Sequence, residues 1–538
     1  MKFRALTLIS IVSILLLISS CARRGRPSGG EKDIDGPIVI TANPEHESIN
    51  FKAKKIKLNF DEYIKLQDIN KQLVISPPMK YEPIITPVGT ASEFINIKIL
   101  DTLKENTTYT FNFGNSIEDN NEGNILEQFK YVFSTGDYID SLIISGTISD
   151  AYNIEVDEEI SIQLYEVTDS FTDSIIFKER PSYVANALDS IGFELTNLKE
   201  GQYLMIALKD ASNNYTFEPK QDKIGYYPNL ITLPTDSVFH IKLFKEELPF
   251  KFMRATEVKK GHIYFAHEGD PKGIKIDLIS DKPADYKSTI VYENMMDSVS
   301  YWHTSIVADS LLFKVSHNDL VDTLTVKLRS KEIDSLTVNN ITSAILSLRD
   351  TFSIATNIPI HTINKSQIRI LDNDSLPVNF TTHLTSSKKR LKLDFHKEYD
   401  QKYQLQFLPN AIEDLFGNVN DTLKYSAVTK NPDIYGDIYL TIKNIESYPY
   451  ILELLDKKEE LVYREYVTDT NKSYFKLENL SPDEYIIRVI YDTNKNKKWD
   501  TGNFLKKIKP EIVLYKKSII ELRANWVENQ EFDLNNAR

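Results

Sequence analysis

Phe193-Glu-Leu195-Thr-Asn197-Leu198, running on through Tyr203 and from Asp210 to Pro228, returns without a gap as Phe475-Lys-Leu477-Glu-Asn479-Leu480, through Tyr485 and from Asp492 to Pro510. Self-similarity that keeps its register over such a length marks a duplicated structural unit, and it has to be recognised before a fold is assigned. Within each copy apolar and polar residues alternate, an Asn-Leu step supplies a turn, and Glu-Gly-Gln-Tyr203 or Pro-Asp-Glu-Tyr485 leads into an apolar run. Alternation with a period of two is the pattern of a half-buried strand.

A second repeat family lies outside the first. Tyr109-Thr-Phe111-Asn-Phe113, then Asn115-Ser-Ile117-Glu118-Asp119 and Gly123-Asn124, is matched by Tyr403-Gln-Leu405-Gln-Phe407, Asn410-Ala-Ile412-Glu413-Asp414 and Gly417-Asn418. Each copy continues into another strand, Phe129 to Thr135 and Leu423 to Thr429. The unit reads as a strand, a loop in which Asp and Asn side chains bond nearby backbone amides, and a closing strand. Little helical periodicity appears anywhere, and short alternating runs such as Lys55-Ile56-Lys57-Leu58-Asn59-Phe60 recur between Asn, Asp, Ser and Gly clusters. The predicted fold is all-β, a tandem of β-sandwiches. Its divisions are 1–20, a signal segment; 21–36, a tether; 37–138 and 139–247, one sandwich of each repeat type; 248–335, a β-rich stretch without a copy; and 336–431 and 432–538, the second pair.

The 109–135 pattern resembles the bacterial Ig-like domain of SbsA-type S-layer proteins, in which an Ile-Asp-Gly-Asn loop precedes a strand ending in Phe-x-Thr, here Phe133-Ser134-Thr135. The second copy ends Ala427-Val428-Thr429 and lacks that phenylalanine. The 193–228 and 475–510 pattern resembles the transthyretin-like or carboxypeptidase-regulatory-like sandwich, a small seven-stranded module found beside catalytic or adhesive domains. These resemblances imply binding or spacing modules.

At 538 residues the chain is several domains long, and 41% hydrophobic with 11% aromatic residues is the composition of folded material. A net charge of -13 argues against nucleic acid as the partner. One cysteine, Cys21, excludes a disulfide framework and a thiolate zinc site. Met1 to Ser20 has the form of a secretory signal: Lys2 and Arg4, then an apolar stretch from Ala5 to Ile18 too short to span a bilayer. Ile18-Ser19-Ser20-Cys21 resembles the bacterial lipobox, which implies cleavage between Ser20 and Cys21 and lipid attachment at Cys21. Several acyl chains anchor firmly, each buried methylene adding about 0.8 kcal/mol. Ala22 in place of aspartate implies the outer membrane. The Lys-, Asn- and Ile-rich composition is similar to that of Bacteroidota, and Arg23, Arg24 and Arg26, where surface-exported lipoproteins of that group carry acidic residues, favour the periplasmic face.

Catalytic signatures are absent from the sequence: there is no Gly-x-Ser-x-Gly, no phosphate loop and no His-Glu-x-x-His. His262 and His267 read as strand-surface residues, and Tyr301, Trp302 and Trp499 as packing residues or as platforms for sugar rings. Paired carboxylates for glycoside hydrolysis are recognised only by their separation in space. Asp492, Asn494, Asn496 and Asp500 have the alternating oxygens of a calcium loop. Against calcium stand Lys497 where the turn glycine belongs and Asn503 where a bidentate Glu belongs, so an Asx-stabilised hairpin loop fits the same residues. Finally, Asp-Ser or Asp-Thr precedes an aliphatic residue eleven times, at Thr102, Ser141, Ser174, Ser190, Ser237, Ser298, Ser310, Thr323, Ser335, Ser375 and Thr422. The triplet is similar to the O-glycosylation acceptor of exported Bacteroidota proteins, and equally to a turn entering a strand.

The function expected from these features is that of a non-catalytic, lipid-anchored cell-envelope protein whose sandwiches contact an envelope protein or glycan or act as a spacer. The competing expectation is a carbohydrate-active or peptidoglycan-directed enzyme, or its accessory subunit, with a cleft in 248–335 lined by two carboxylates and exposed aromatics.

Overall fold

A computed structural model of the chain describes residues 33–187, 191–292 and 297–538. Five sandwiches follow one another, each built from two facing sheets, with a further two-stranded sheet, Ile360–Ile363 and Ile412–Asp414, in the fourth. The expected all-β tandem is therefore the fold.

In the first, Val39–Asn43, Lys55–Leu66, Ser92–Lys98 and Ile84–Thr86 lie side by side in that order, with Ile117–Asp119 against the far end of the long strand. Facing them are Val74–Ser76, Thr108–Asn112 and Lys130–Ser134. Alternation sends Ile56, Leu58, Ile95 and Ile97 inward against Phe111, Phe113 and Phe133, all fully buried. The fourth sandwich has the same connectivity. Val338–Asn340, Phe352–Thr356, Arg390–Phe395 and Phe380–Leu384 oppose Ile368–Leu371, Lys402–Phe407 and Leu423–Val428. Its counterpart of the long strand is broken into Phe352–Thr356 and Ile360–Ile363. Pro359 lies in the break, where it has no N–H to give a ladder. Ala427 occupies the core position of Phe133, and it is as buried as the ring it replaces. Two details recur in both copies. The Tyr109 hydroxyl accepts from Lys104 N–H and that of Tyr403 from Glu398 N–H, while Thr135 and Thr429 accept from Thr107 and Gln401 N–H.

The second and fifth sandwiches form the other matched pair. Tyr183–Ala187, Ile160–Glu166, Gly201–Lys209 and Lys223–Tyr226, with Ile231–Leu233 beside the third of these, oppose Gly192–Leu198, Leu142–Asp150 and the parallel strand Val238–Leu243. Leu461–Val467, Tyr450–Asp456, Asp483–Tyr491, Val513–Tyr515 and Ile520–Leu522 repeat the larger sheet; Tyr474–Leu480, Gly436–Lys443 and the parallel Val527–Asp533 repeat the smaller.

The third sandwich pairs Lys251–Lys259, His262–Glu268, Ser298–His303 and Ser288–Tyr292 with Lys275–Leu278, Ser310–His317 and Leu320–Lys327, around Phe265, Phe313 and Val315. Here two expectations fail. His262 and His267 are buried, not on the strand surface. His262 stacks on Trp302 with centroids 3.8 Å apart, and burial pushes its imidazole down to about 3, keeping it neutral. The cover over this face comes from outside the sandwich: Val291 and Trp302 share a buried cluster with Ile358, Leu415 and Phe416 of the fourth.

Side-chain contacts link the sandwiches in sequence. Asp140, at the first boundary, accepts from Thr108 Oγ1 at 2.8 Å, and Asn197 Nδ2 donates to its carbonyl at 2.9 Å while Asn197 Oδ1 accepts from Thr110 at 3.1 Å. The repeat partner Asn479 accepts from Tyr399 of the fourth sandwich. Both asparagines have positive φ, 58° and 57°, a conformation that asparagine tolerates well. The Asn-Leu turn of the sequence thus reaches back to the preceding sandwich in each copy. Lys220 pairs with Glu268 at 2.7 Å between second and third, and Arg349 Nη1 donates to the Glu478 carbonyl at 3.1 Å between fourth and fifth. The fifth then returns to the second.

Candidate functional site

The return contact joins residues up to 363 positions apart. It is made by the outer faces of the two larger sheets and by the loop between Tyr491 and Val513. Arg488, on the central strand of the fifth sandwich, stands opposite Glu453 in the ladder. Its Nε donates to Glu453 Oε2 at 2.7 Å, Nη1 to Tyr515 Oη at 2.9 Å and Nη2 to Tyr152 Oη of the second sandwich at 3.0 Å. The guanidinium also lies 4.4 Å from the centre of the Tyr152 ring. Arg464 Nε sits 3.2 Å from the other Glu453 oxygen. Glu453 and Arg488 are 3% and 5% exposed, so a buried pair of charges is fully furnished with partners. Burial pushes the Tyr515 hydroxyl up to about 12, against the pull of Arg488, and its proton goes to the Tyr152 carbonyl at 2.6 Å.

The loop reaches the other way. Phe504 is fully buried in the second sandwich's outer cluster with Ile206, Phe217 and Phe244, its ring edge-on to Tyr226 at 5.4 Å. Its N–H donates to Glu246 at 2.5 Å, and Thr501 Oγ1 donates to the Lys245 carbonyl at 2.6 Å. Trp499 packs on Tyr152 at 4.7 Å and gives its Nε1–H to the Glu511 carbonyl. Gly502 makes the approach feasible: a Cβ there would lie 2.8 Å from the Phe244 ring and from the Ile508 carbonyl.

The calcium-candidate residues lie in this loop. Asp492 is 1% exposed and accepts Asn496 N–H at 3.1 Å and Lys497 N–H at 2.8 Å. Asp500 Oδ2 accepts from the amides of both Asn494 and Asn496, at 2.7 and 2.6 Å. The repeat partner Asp210 does the same work, accepting from Tyr215 N–H at 2.6 Å, the counterpart of Lys497. Among the described residues no group of three or more His, Cys, Asp or Glu side chains is gathered for a metal.

Cys21, Ser20 and Ser190 lie outside the described residues. Thr102, Ser141, Ser237, Ser310, Thr323, Ser335, Ser375 and Thr422 are exposed, and Ser174 and Ser298 half-buried. Thr323 lies inside the strand Leu320–Lys327, not in a turn. Tyr301 and Trp302 are 3% and 5% exposed, so neither forms the open aromatic wall that a sugar site in 248–335 requires. Among the described residues no helix is long and apolar enough to cross a membrane.

Trp499 was read as a packing residue and packs here, while the other residues that make the return contact escaped the sequence reading. The one visible signal is Arg488 itself, a cation inside the apolar run Tyr485-Ile-Ile-Arg488-Val-Ile-Tyr491. Residues 33–135 match the family model described as the bacterial Ig-like domain. This covers the first sandwich. No curated protein matches the chain. Among solved structures, domains 1–6 of surface layer protein SbsC align at 11% identity over 91% of this chain and 67% of that one, with a TM-score of 0.15. The Bacillus anthracis TIE protein aligns at 9% identity over 95% and 76%, with a TM-score of 0.14. BcpA, the major pilin subunit of Bacillus cereus, aligns at 10% identity over 74% of this chain and all of that one, with a TM-score of 0.14.

Proposed function

We propose that this chain is a non-catalytic envelope lipoprotein, anchored through Cys21 in the outer membrane on its periplasmic face, that presents sandwiches as an interaction platform for an envelope protein or glycan. The second and fifth sandwiches are read as transthyretin-like modules and the first and fourth as Ig-like ones. The observation that supports the reading best is the return contact. A spacer needs its modules strung out, whereas here a buried Glu453–Arg488 pair and the inserted Phe504 hold the last sandwich on the second. Function then rests on loops and edges carried by packed scaffolds. The exposed Asp-Ser and Asp-Thr hydroxyls are accessible to glycan attachment, and calcium at Asp492 and Asp500 would have to displace the amide donors already there.

The test is the intact mass and membrane partition of the natively expressed protein beside a Cys21→Ala variant. Lipid mass and membrane association that vanish together in the variant support the anchor, and added hexose mass supports glycans. A soluble wild-type chain without lipid sinks the localisation.

A further inference from the structure

The larger sheet of the first sandwich turns Ile56, Leu58, Ile95 and Ile97 inward and leaves its other face to solvent. Ladder register fixes what that outer face carries. Lys55 stands opposite Lys98, and in the next outward row Asn43, Lys57, Asn96 and Thr86 lie side by side across all four strands. All six residues are exposed. Outward rows recur about every 6.6–6.8 Å and neighbouring strands about every 4.8 Å, so the six form one continuous patch.

Cations alone carry the charge of this patch. Like charges directly opposite in a ladder are destabilising, and among the described residues none of the three lysines is paired with a carboxylate. Lys130 and Lys223, by contrast, each have one. The Lys57 ammonium rests instead over the Phe94 ring at 4.4 Å from its centre. The first acid along the long strand, Asp61, accepts Ile38 N–H at 2.8 Å. A chain with 77 acidic and 64 basic residues thus keeps these two rows free of acid. The matching sheet of the fourth sandwich does not: Asp394 shares an exposed strand face with Arg390 and Lys392.

We infer that this face binds an anionic glycan, a sugar chain bearing carboxylates, which settle on Lys55, Lys98 and Lys57 while sugar hydroxyls hydrogen-bond to Asn43, Asn96 and Thr86. A carboxylate between Lys55 and Lys98 turns a repulsive pair into two charge-assisted hydrogen bonds. The row of amides and a hydroxyl beside it offers both donors and acceptors, which a glycan uses and simple ion exchange does not. Nucleic acid is opposed by the net charge of -13, which acts at longer range than the patch. A lipid surface would leave the amide row without a role. The inference rests on the reading of the chain as an interaction platform and names the chemistry of its glycan partner.

The test is affinity electrophoresis of the full-length chain through gels holding polygalacturonate or neutral dextran, at graded salt. Retardation by polygalacturonate and not by dextran is expected, and it should weaken as salt rises. Lys55→Gln with Lys98→Gln should reduce it at least about tenfold, the scale of lost charge-assisted hydrogen bonds. Removing a like-charge pair from an exposed face should leave the melting temperature no lower, and Lys98→Gln alone serves if the double variant does not fold. Asn96→Ala should weaken binding with the salt dependence unchanged. Arg390→Gln with Lys392→Gln, the same charge change on the fourth sandwich, should leave binding as it was. No retardation, equal loss from the fourth-sandwich pair, equal binding of a DNA duplex, or a preference for phosphatidylglycerol vesicles would overturn the assignment. The envelope reading is judged separately, by the Cys21 mass experiment, so the two fail distinguishably.

Discussion

The second and fifth sandwiches have one strand topology and differ on one face. In the second, Gln163 stands opposite Ile206 on the central strands, and its amide is satisfied within the sheet by Ser161 and Tyr165. In the fifth, the matching positions are Glu453 and Arg488, and beside their partners Tyr515 and Arg464 in the same sandwich Arg488 reaches Tyr152 of the other copy. The loops differ in step. The second sandwich folds Phe217 over its own outer cluster, whereas the fifth sends Phe504 to that same cluster and Trp499 to Tyr152. A duplicated module has thus become the partner of its twin by changing a polar pair and a loop, with the core pattern left alone.

The strongest way to break this comparison is Arg488→Ala, which leaves Glu453 buried with a single remaining cation. A loss of about 3–5 kcal/mol is expected from denaturant unfolding. The double variant Glu453→Gln with Arg488→Ile imports the second sandwich's own pair, and most of that loss should return while the link to Tyr152 does not. If the double variant is as unstable as the single one, the pair is needed within the fifth sandwich and not for its docking.

Next in size is Gly502→Val, which drives a side chain into the Phe244 ring and the Ile508 carbonyl. The fifth sandwich should detach without unfolding, read as a larger radius of gyration by X-ray scattering. The same contact predicts that, in a Trp302→Ala background that loosens the third sandwich's own hold on Phe416 of the fourth, a nick at 331–335 leaves two pieces that co-elute with Gly502 in place and separate in Gly502→Val. Pieces that separate with Gly502 in place would show that the contact does not hold.

Smaller effects sharpen the other pairing. Asn197→Ala and Asn479→Ala should each cost about 1 kcal/mol, because each loses one reach to the preceding sandwich. Smallest is an acid effect confined to the first sandwich. Burial pushes the Asp119 carboxyl up, but four backbone N–H groups, from Asn121 to Asn124, overcome this and hold it at about 2. A carboxyl depressed below its unfolded value of about 3.9 stabilises fully above that pH and loses its contribution as pH falls through about 2. Asp119→Asn should flatten the acid limb of a pH–stability curve, and an unchanged limb would count against the loop's role.

What could be read in the sequence was local. Alternation gave the strands, and Asp119, Asp210, Asp414 and Asp492 announced their loops because an Asx side chain bonds amides two to five residues away. The two Asn-Leu turns were visible as turns, though not as reaches to a neighbour. The return contact was invisible because Tyr152 and Arg488 are 336 residues apart and nothing in either neighbourhood names the other. His262 was misplaced for the same reason: a strand face looks exposed until the Trp302 ring it stacks on is covered by Phe416, over a hundred residues on.

Docking the last sandwich on the second also settles how the chain would bear load. Tension entering at the first sandwich and leaving at the carboxyl end, where Arg538 N–H is bonded to the Tyr515 carbonyl at 2.9 Å, has a direct route through Tyr152, Arg488 and Phe504. The third and fourth sandwiches lie on a parallel branch held by its own contacts, and loss of that shortcut would pass the load to them.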